Sequence, residues 1–167
     1  MKATFSLRGR FEKVAEDGKK HFKLTKDQAK EQLKTVKANK ADVGFGFDGD
    51  GDRLGVISKE GKIIFPDMQM ILFSNSILQD HKKGKVVFDV KCSKLLSEAI
   101  LKKGGTPIMT KTGHSYIKKC IREEKALLGG EMSGHIFFND RWPGFDDGIY
   151  AGARMLEIIS NLNEDED

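Results

Sequence analysis

Apolar residues occur in short blocks along this chain, and the spacing within each block predicts either a helix or a strand. A helical period predicts helices over residues 25–37, 66–78, 93–101, 116–124 and 146–159. Alternating or continuous apolar runs predict strands over residues 42–47, 54–57, 63–65, 86–90, 107–110, 126–128 and 135–138. Thr25 and Gln28 form a capping box at the start of the first helix. Helices and strands therefore alternate along most of the chain.

The order strand, helix, strand over residues 86–110 predicts a βαβ unit, with Gly104 and Gly105 ending its helix. Such a unit favours a parallel sheet whose faces are covered by helices. Residues 1–24 show no clean period and carry an excess of basic residues, so this segment is left unassigned. The pattern as a whole predicts an α/β fold.

The composition fits a globular protein with one core or two small lobes. The chain has 167 residues, of which 38% are hydrophobic and 11 are Phe. It has no run of about 18 apolar residues and no signal-peptide core, so we expect no membrane span and no export, and we place the protein in the cytoplasm. Cys92 and Cys120 match no zinc-binding spacing and predict free thiols.

Positive charge is concentrated toward the N-terminus. The net charge is +4, but residues 1–40 hold twelve Lys and Arg against five Asp and Glu, while the remainder holds seventeen against twenty. The lysines are scattered along a predicted helix without interleaved aromatic residues, which favours a solvated face over a nucleic-acid surface. We therefore predict no nucleic-acid partner.

The most informative motif is a set of three aspartates at alternate positions, Asp48, Asp50 and Asp52. Together with Arg53 they make up residues 48–53, here called the Asp-Gly loop. Three carboxylates in one short turn repel one another unless a cation compensates them, and oxygen ligands favour a hard ion, Mg²⁺ before Mn²⁺ or Ca²⁺. A solvated turn is the alternative interpretation. An EF-hand does not fit, because its sixth and twelfth positions would be Arg53 and Lys59.

A second motif covers residues 130–135, here called the Glu-Ser-His loop, and follows the predicted strand 126–128. Its carboxylate, hydroxyl and imidazole stand at alternate positions and can point the same way: Glu131, Ser133 and His135. Glu and Ser can pair with vicinal sugar hydroxyls, and a histidine can move a proton near neutral pH. The alternative interpretation is a surface turn, containing Gly129 and Gly130, with ordinary polar side chains.

Four segments, in this order, resemble the α-D-phosphohexomutases, specifically the bacterial phosphomannomutase/phosphoglucomutase branch. They are residues 47–53, 89–93, 111–115 and 130–135, extended by residues 141–142 and 144–148. Met132 is typical of this branch. The resemblance implies an α/β fold with mixed, mostly parallel sheets and flanking helices. An α/β/α three-layer domain over residues 66–163 would follow part of a second α/β domain over residues 25–65.

The resemblance implies a Mg²⁺-dependent interconversion of hexose 1-phosphate and hexose 6-phosphate, with mannose or glucose phosphates as substrates and a phosphoserine as donor. The implied Mg²⁺ ligands are Asp48, Asp50 and Asp52. The implied contacts to the sugar phosphate are Lys91, Glu131, Ser133 and His135. The implied catalytic residues are Arg53, Lys91, His114 and His135. Arg53 would neutralise phosphate charge, and the other three would transfer protons or steady the attacking hydroxyl.

The resemblance covers residues 27–162, which correspond to the end of the family's second domain and nearly all of its third. The family's nucleophilic serine loop and its phosphate-clamping loop have no counterpart in the sequence. We therefore expect a fragment that is inactive alone and that exposes residues 43–47 at a sheet edge. Three alternatives stay open. They are a non-catalytic phosphosugar- or Mg²⁺-binding remnant, one subunit of a split mutase with a complementing chain, and a phosphatase with Asp48 or Asp50 as nucleophile.

Overall fold

A computed structural model describes residues 3–7 and 26–164, with side chains described over residues 30–161. The predicted capping box at Thr25 and Gln28 lies outside the residues whose side chains are described. The helices are α1 (Lys26–Ala38), α2 (Pro66–Asp80), α3 (Lys94–Lys102), α4 (His114–Glu124) and α5 (Gly148–Glu164). The strands are β1 (Ala3–Leu7), β2 (Val43–Phe47), β3 (Leu54–Ser58), β4 (Ile63–Ile64), β5 (Lys85–Asp89), β6 (Thr106–Thr110), β7 (Leu128–Gly130) and β8 (Ile136–Phe138).

The first sheet has the strand order β1-β2-β3-β4. β1 runs parallel to β2, whereas β2, β3 and β4 form an antiparallel meander. β1 pairs with β2 along its whole length, from Ala3 opposite Val43 to Leu7 opposite Phe47. The prediction that residues 43–47 form an exposed edge is therefore wrong. The strand that covers this edge comes from the basic segment left unassigned by its sequence pattern.

The second sheet has the strand order β6-β5-β7-β8. β5 is parallel to both β6 and β7, and β8 returns antiparallel to β7. The βαβ unit predicted over residues 86–110 is confirmed as β5, α3 and β6. The carboxyl ends of β5, β6 and β7 consequently meet at one edge of the sheet, where ligand sites form in α/β folds.

Residues Gly129 and Gly130 lie inside β7 and not in a turn, so the strand predicted over residues 126–128 is displaced toward the Glu-Ser-His loop. A Cβ on Gly129 would lie 2.5 Å from Ile121 of α4, and a Cβ on Gly130 would collide with Met70 of α2. The two glycines thus let helices approach closely on opposite faces of β7, which builds the α/β/α layering.

One apolar core joins the two sheets. Phe45 and Leu54 of the first sheet belong to the same buried cluster as Phe88 and Phe138 of the second. Phe73 of α2 meets Phe138 edge to face, with ring centroids 5.0 Å apart. Helix α5 contacts strands of both sheets, so it seals the boundary between them. None of the helices in the described part of the chain is long and apolar enough to cross a bilayer.

Candidate functional site

The Asp-Gly loop connects the antiparallel strands β2 and β3. Gly51 has a φ of 74°, which only glycine adopts without strain, so the loop turns sharply at this point. Asp48 accepts a hydrogen bond from the Arg53 amide (3.1 Å) and an ion-pair contact from Arg53 Nε (2.9 Å). Asp48, Asp50 and Asp52 each offer a carboxylate oxygen, and these oxygens lie within 4.8 Å of one another. The predicted convergence of the three carboxylates is therefore present.

Asp52 shows that this concentration of negative charge is only partly compensated. Burial raises the pKa of Asp52 to about 6; His135 opposes this shift, while Asp48 and Asp50 add to it. Asp52 Oδ1 is buried without a hydrogen-bond partner, and the nearest cationic contact is Arg53 Nε at 3.5 Å. A carboxylate with one buried oxygen that lacks a donor fits a hard divalent cation better than it fits a solvated turn.

The carboxylate of Glu131 is buried in the Glu-Ser-His loop, with 3% of the residue exposed. One of its oxygens accepts a hydrogen bond from the Gly113 amide, and the other accepts from Ser133 Oγ at 3.2 Å. Gly134 turns the loop with a φ of 99°. The structure thus brings Glu131 and Ser133 together and ties them to the start of α4.

His135 lies where the two loops meet. Its Nδ1 is 2.9 Å from Asp146 Oδ2 and 3.4 Å from Asp52 Oδ2. Lys118 Nζ contacts the other oxygen of Asp146 at 2.6 Å. Burial favours a higher pKa for Asp146, but the contacts with His135 and Lys118 outweigh it and hold that pKa well below its ordinary value. Because both carboxylates lie on the Nδ1 side of the ring, Nε2 is the nitrogen that can exchange a proton with a bound molecule.

Backbone contacts also join the two loops. Arg53 and His135 form an isolated antiparallel bridge, and the Leu54 amide donates to the Gly134 carbonyl at 3.4 Å. The first residue of α5, Gly148, donates its amide to the Gly51 carbonyl at 2.9 Å. A Cβ on Gly148 would lie 2.5 Å from the Arg53 carbonyl oxygen, so a glycine is required there.

The remaining predicted residues lie at the same edge. His114 begins α4 and is exposed, and its ring centroid is 6.1 Å from that of His135. Lys91 is exposed just beyond the end of β5. All nine predicted residues therefore lie at one side of the molecule, eight of them on loops and His114 as the first residue of α4.

Sequence reasoning missed four residues that shape this site. They are Asp89, Thr112, Lys118 and Asp146. Asp89, Thr112 and Asp146 stood inside segments that resemble the family, but nothing in a single sequence marks an aspartate as the partner of a particular histidine, hydroxyl or amide. That signal exists only once the loops are brought together.

Comparison with protein families gives two matches. The description "Phosphoglucomutase/phosphomannomutase, alpha/beta/alpha domain III" matches residues 65–166, and domain II of the same family matches residues 2–61. The second match includes the basic segment that the sequence pattern left unassigned. The division into residues 1–24, 25–65 and 66–163 stays a prediction.

Curated relatives and a solved structure agree with these matches. A phosphoglucomutase of Neisseria meningitidis is 54% identical over 128 residues, covering 77% of this chain and 28% of the relative. A phosphomannomutase/phosphoglucomutase of Pseudomonas aeruginosa is 50% identical over 139 residues, covering 83% and 30%. The crystal structure of a phosphoglucomutase/phosphomannomutase family protein from Burkholderia thailandensis matches with a TM-score of 0.79 and 50% identity, covering 81% of this chain and 30% of that one. The chain thus spans about three tenths of the length of these relatives.

Proposed function

Because this chain belongs to the phosphoglucomutase/phosphomannomutase family, we propose that its two loops are the metal-binding and sugar-binding parts of a hexose phosphate mutase site. The reaction would interconvert the 1-phosphate and 6-phosphate of mannose or glucose. The observation that carries the proposal is the position of His135, which touches Asp52 of the Asp-Gly loop while belonging to the Glu-Ser-His loop. A proton-transferring group thereby stands beside the place where phosphate charge would be held.

Asp48, Asp50 and Asp52 would hold Mg²⁺, because three convergent carboxylates with partly uncompensated charge suit a hard ion. When bound, the ion supplies Lewis-acid polarisation of the transferring phosphoryl group. Arg53 remains paired with Asp48 and would add positive charge at the same phosphate.

Glu131 and Ser133 would bind sugar hydroxyls. A carboxylate can accept about four hydrogen bonds, and Gly113 and Ser133 donate two to Glu131, so room remains for a hydroxyl donor. Ser133 donates its proton to Glu131 and therefore presents lone pairs to a second hydroxyl. The pair thus offers one acceptor each to neighbouring hydroxyls, which suits a ring bound with either end toward the metal.

His135 would move a proton at Nε2 while Asp146 holds Nδ1 and fixes the ring. Lys118 helps to keep the Asp146 carboxylate charged, so the pair of Asp146 and His135 would keep its orientation. His114 and Lys91 would steady the sugar phosphate from the neighbouring loops. Their roles rest on their place at the same edge of the sheet.

The activity of the whole enzyme is part of this proposal, since the chain spans only about three tenths of its relatives. We expect the isolated chain to bind Mg²⁺ and hexose phosphate without turning it over. A complementing chain and a cytoplasmic location stay predictions.

The test uses the purified, folded 167-residue chain. Calorimetric titration with mannose 6-phosphate in the presence of Mg²⁺ should show binding that Ser133→Ala weakens, by about threefold to tenfold for one lost hydrogen bond, while the helix-surface variant Thr35→Ala leaves it unchanged. A folded chain that binds no hexose phosphate at millimolar concentration would overturn the proposal. A coupled assay with mannose 1-phosphate, glucose 1-phosphate and a hexose bisphosphate primer tests turnover, and release of inorganic phosphate would indicate a phosphatase instead.

A further inference from the structure

Asp89, the last residue of β5, is fully buried and yet carries a carboxylate that the proposed chemistry does not use. Its two oxygens accept from four donors. They are the amide of Lys91 (3.3 Å), the thiol of Cys92 (3.3 Å), the hydroxyl of Thr112 (3.0 Å) and the amide of Met132 (3.4 Å). Burial raises the pKa of the Cys92 thiol, and the neighbouring Asp89 raises it further, so the thiol stays protonated and can donate. Both oxygens of this buried carboxylate therefore accept hydrogen bonds.

These donors come from three separate segments that end at the same edge of the second sheet. One donor is the amide of Lys91 itself. Thr112 stands two residues before His114, and Met132 stands between Glu131 and Ser133. One buried carboxylate thus contacts each segment that carries a proposed substrate contact of this sheet.

We propose that Asp89 is the positioning residue that holds Lys91, His114 and the Glu131–Ser133 pair in one arrangement, with Thr112 as its link to His114. The proposal rests on the proposed function, because that function gives these residues a shared substrate. Fixing three loops on one buried group lowers the conformational entropy that would otherwise be lost when a sugar phosphate binds. The loops are then pre-arranged before the ligand arrives.

A second buried carboxylate nearby provides a matched control. Asp67 accepts from the Ser93 amide at 3.2 Å and from the Met68 amide at 2.9 Å. It fastens the start of α2 to the start of α3, but its contacts include neither Thr112 nor Met132. A purely structural carboxylate at this edge should behave as Asp67 does.

Two substitutions at Thr112 separate positioning from general stability. Thr112→Val keeps the shape of the side chain and removes its hydroxyl, whereas Thr112→Ser keeps the hydroxyl. We expect Thr112→Val to weaken mannose 6-phosphate binding by about threefold to tenfold, the value of one hydrogen bond, and Thr112→Ser to restore it. Amide hydrogen exchange at Gly113 and Met132 should accelerate in the valine variant and stay near the wild-type rate in the serine variant.

Asp89→Asn tests the same connection from the other side, with Asp67→Asn as its control. The Asp89 and Thr112 substitutions remove one shared interaction, so their effects on binding should be clearly less than additive in the double variant. Asp67→Asn and Thr112→Val share no contact and should add. If Asp89→Asn does not fold, the Thr112 pair still decides the question.

Unchanged exchange at Gly113 and Met132 in Thr112→Val would overturn the proposal, and so would equal weakening of binding by the valine and serine variants. If the wild-type chain binds no mannose 6-phosphate, the proposed function fails. The exchange measurement then still tests whether Asp89 and Thr112 hold the loops together.

Discussion

Two groups of carboxylates in this protein differ in the number of hydrogen-bond donors that surround them. In the Asp-Gly loop, three of them converge within 4.8 Å, and Asp52 keeps a buried oxygen without a donor. At the edge of the second sheet, Asp89 and Glu131 are more deeply buried, yet each of their oxygens accepts a hydrogen bond from an amide, a hydroxyl or a thiol. Burial alone therefore does not distinguish a candidate cation site from a structural carboxylate. The number of hydrogen-bond donors that the protein supplies to the carboxylate distinguishes the two.

The topology explains the difference. The Asp-Gly loop connects the two antiparallel strands β2 and β3. The main donor that this loop supplies to its own carboxylates is Arg53, which contacts Asp48. The second group lies where parallel strands end together, so the first amides of several following segments point into one small space. Charge is satisfied there from within the chain, whereas the Asp-Gly loop keeps a buried carboxylate oxygen without a donor, as the proposed cation site requires.

The largest expected effect is on folding stability at the second group. Asp89→Ala leaves several buried donors without a partner and should lower the free energy of unfolding by about 3 kcal/mol or more. Asp50→Ala, at an exposed loop position, should change it by about 0.5 kcal/mol or less in metal-free protein. Urea denaturation followed by circular dichroism compares the two, and equal losses would erase the contrast.

Asp50→Ala, which should hardly change stability, should have a large effect on metal binding. Asp50→Ala removes a proposed ligand and should weaken Mn²⁺ binding, measured by electron paramagnetic resonance, at least about a hundredfold. Glu98→Ala, which removes a surface carboxylate of α3, should leave the affinity unchanged. If Asp50→Ala retains the wild-type affinity for Mn²⁺, the three aspartates are not the ligands.

Gly148→Ala tests whether the start of α5 positions the Asp-Gly loop. Gly148→Ala forces a methyl group against the Arg53 carbonyl and should cost about 1–3 kcal/mol of stability, with a measurable loss of Mn²⁺ affinity. Gly152→Ala, one turn further along α5, meets the Phe47 ring at 3.3 Å and should be far milder. Similar Mn²⁺ affinities in both variants would show that Gly148 does not position the loop.

The smallest expected effect is a pH dependence from Asp52. Its pKa is about 6 in the folded protein against 3.8 ordinarily, so between these values the folded state binds the extra proton. Stability should therefore fall as the pH rises from about 4 to about 6, by about 1 kcal/mol or less because Asp52 is partly exposed. Denaturation of metal-free wild type and Asp52→Asn checks this, and the same slope in both would assign the effect to other groups.

The sequence predicted what local patterns encode. The βαβ unit, the five helices and the convergence of three aspartates all follow from short-range spacing, and the structure contains each of them. β1 was missed because its pairing partner lies about forty residues away. Gly129 and Gly130 were misplaced because turn chemistry and close helix packing both call for glycine, and only the packed structure distinguishes them.

Contacts between side chains that are distant in sequence were the least predictable feature of the site. Asp146 contacts His135, and Asp89 contacts Thr112, across separations of 11 and 23 residues. No periodicity connects such pairs, since their geometry depends on where strands end in three dimensions. Residue types thus indicated the class of chemistry, whereas the arrangement of each group required the fold.

The hydrogen bond from the Gly148 amide to the Gly51 carbonyl bears on where homologous proteins can be joined in a chimaera. The two family matches divide the chain between residues 61 and 65, but the Asp-Gly loop rests on a helix from the far side of that division. Recombination at this boundary separates the loop from the helix end that shaped it. Functional chimaeras should therefore inherit the Asp-Gly loop and the start of α5 from the same parent.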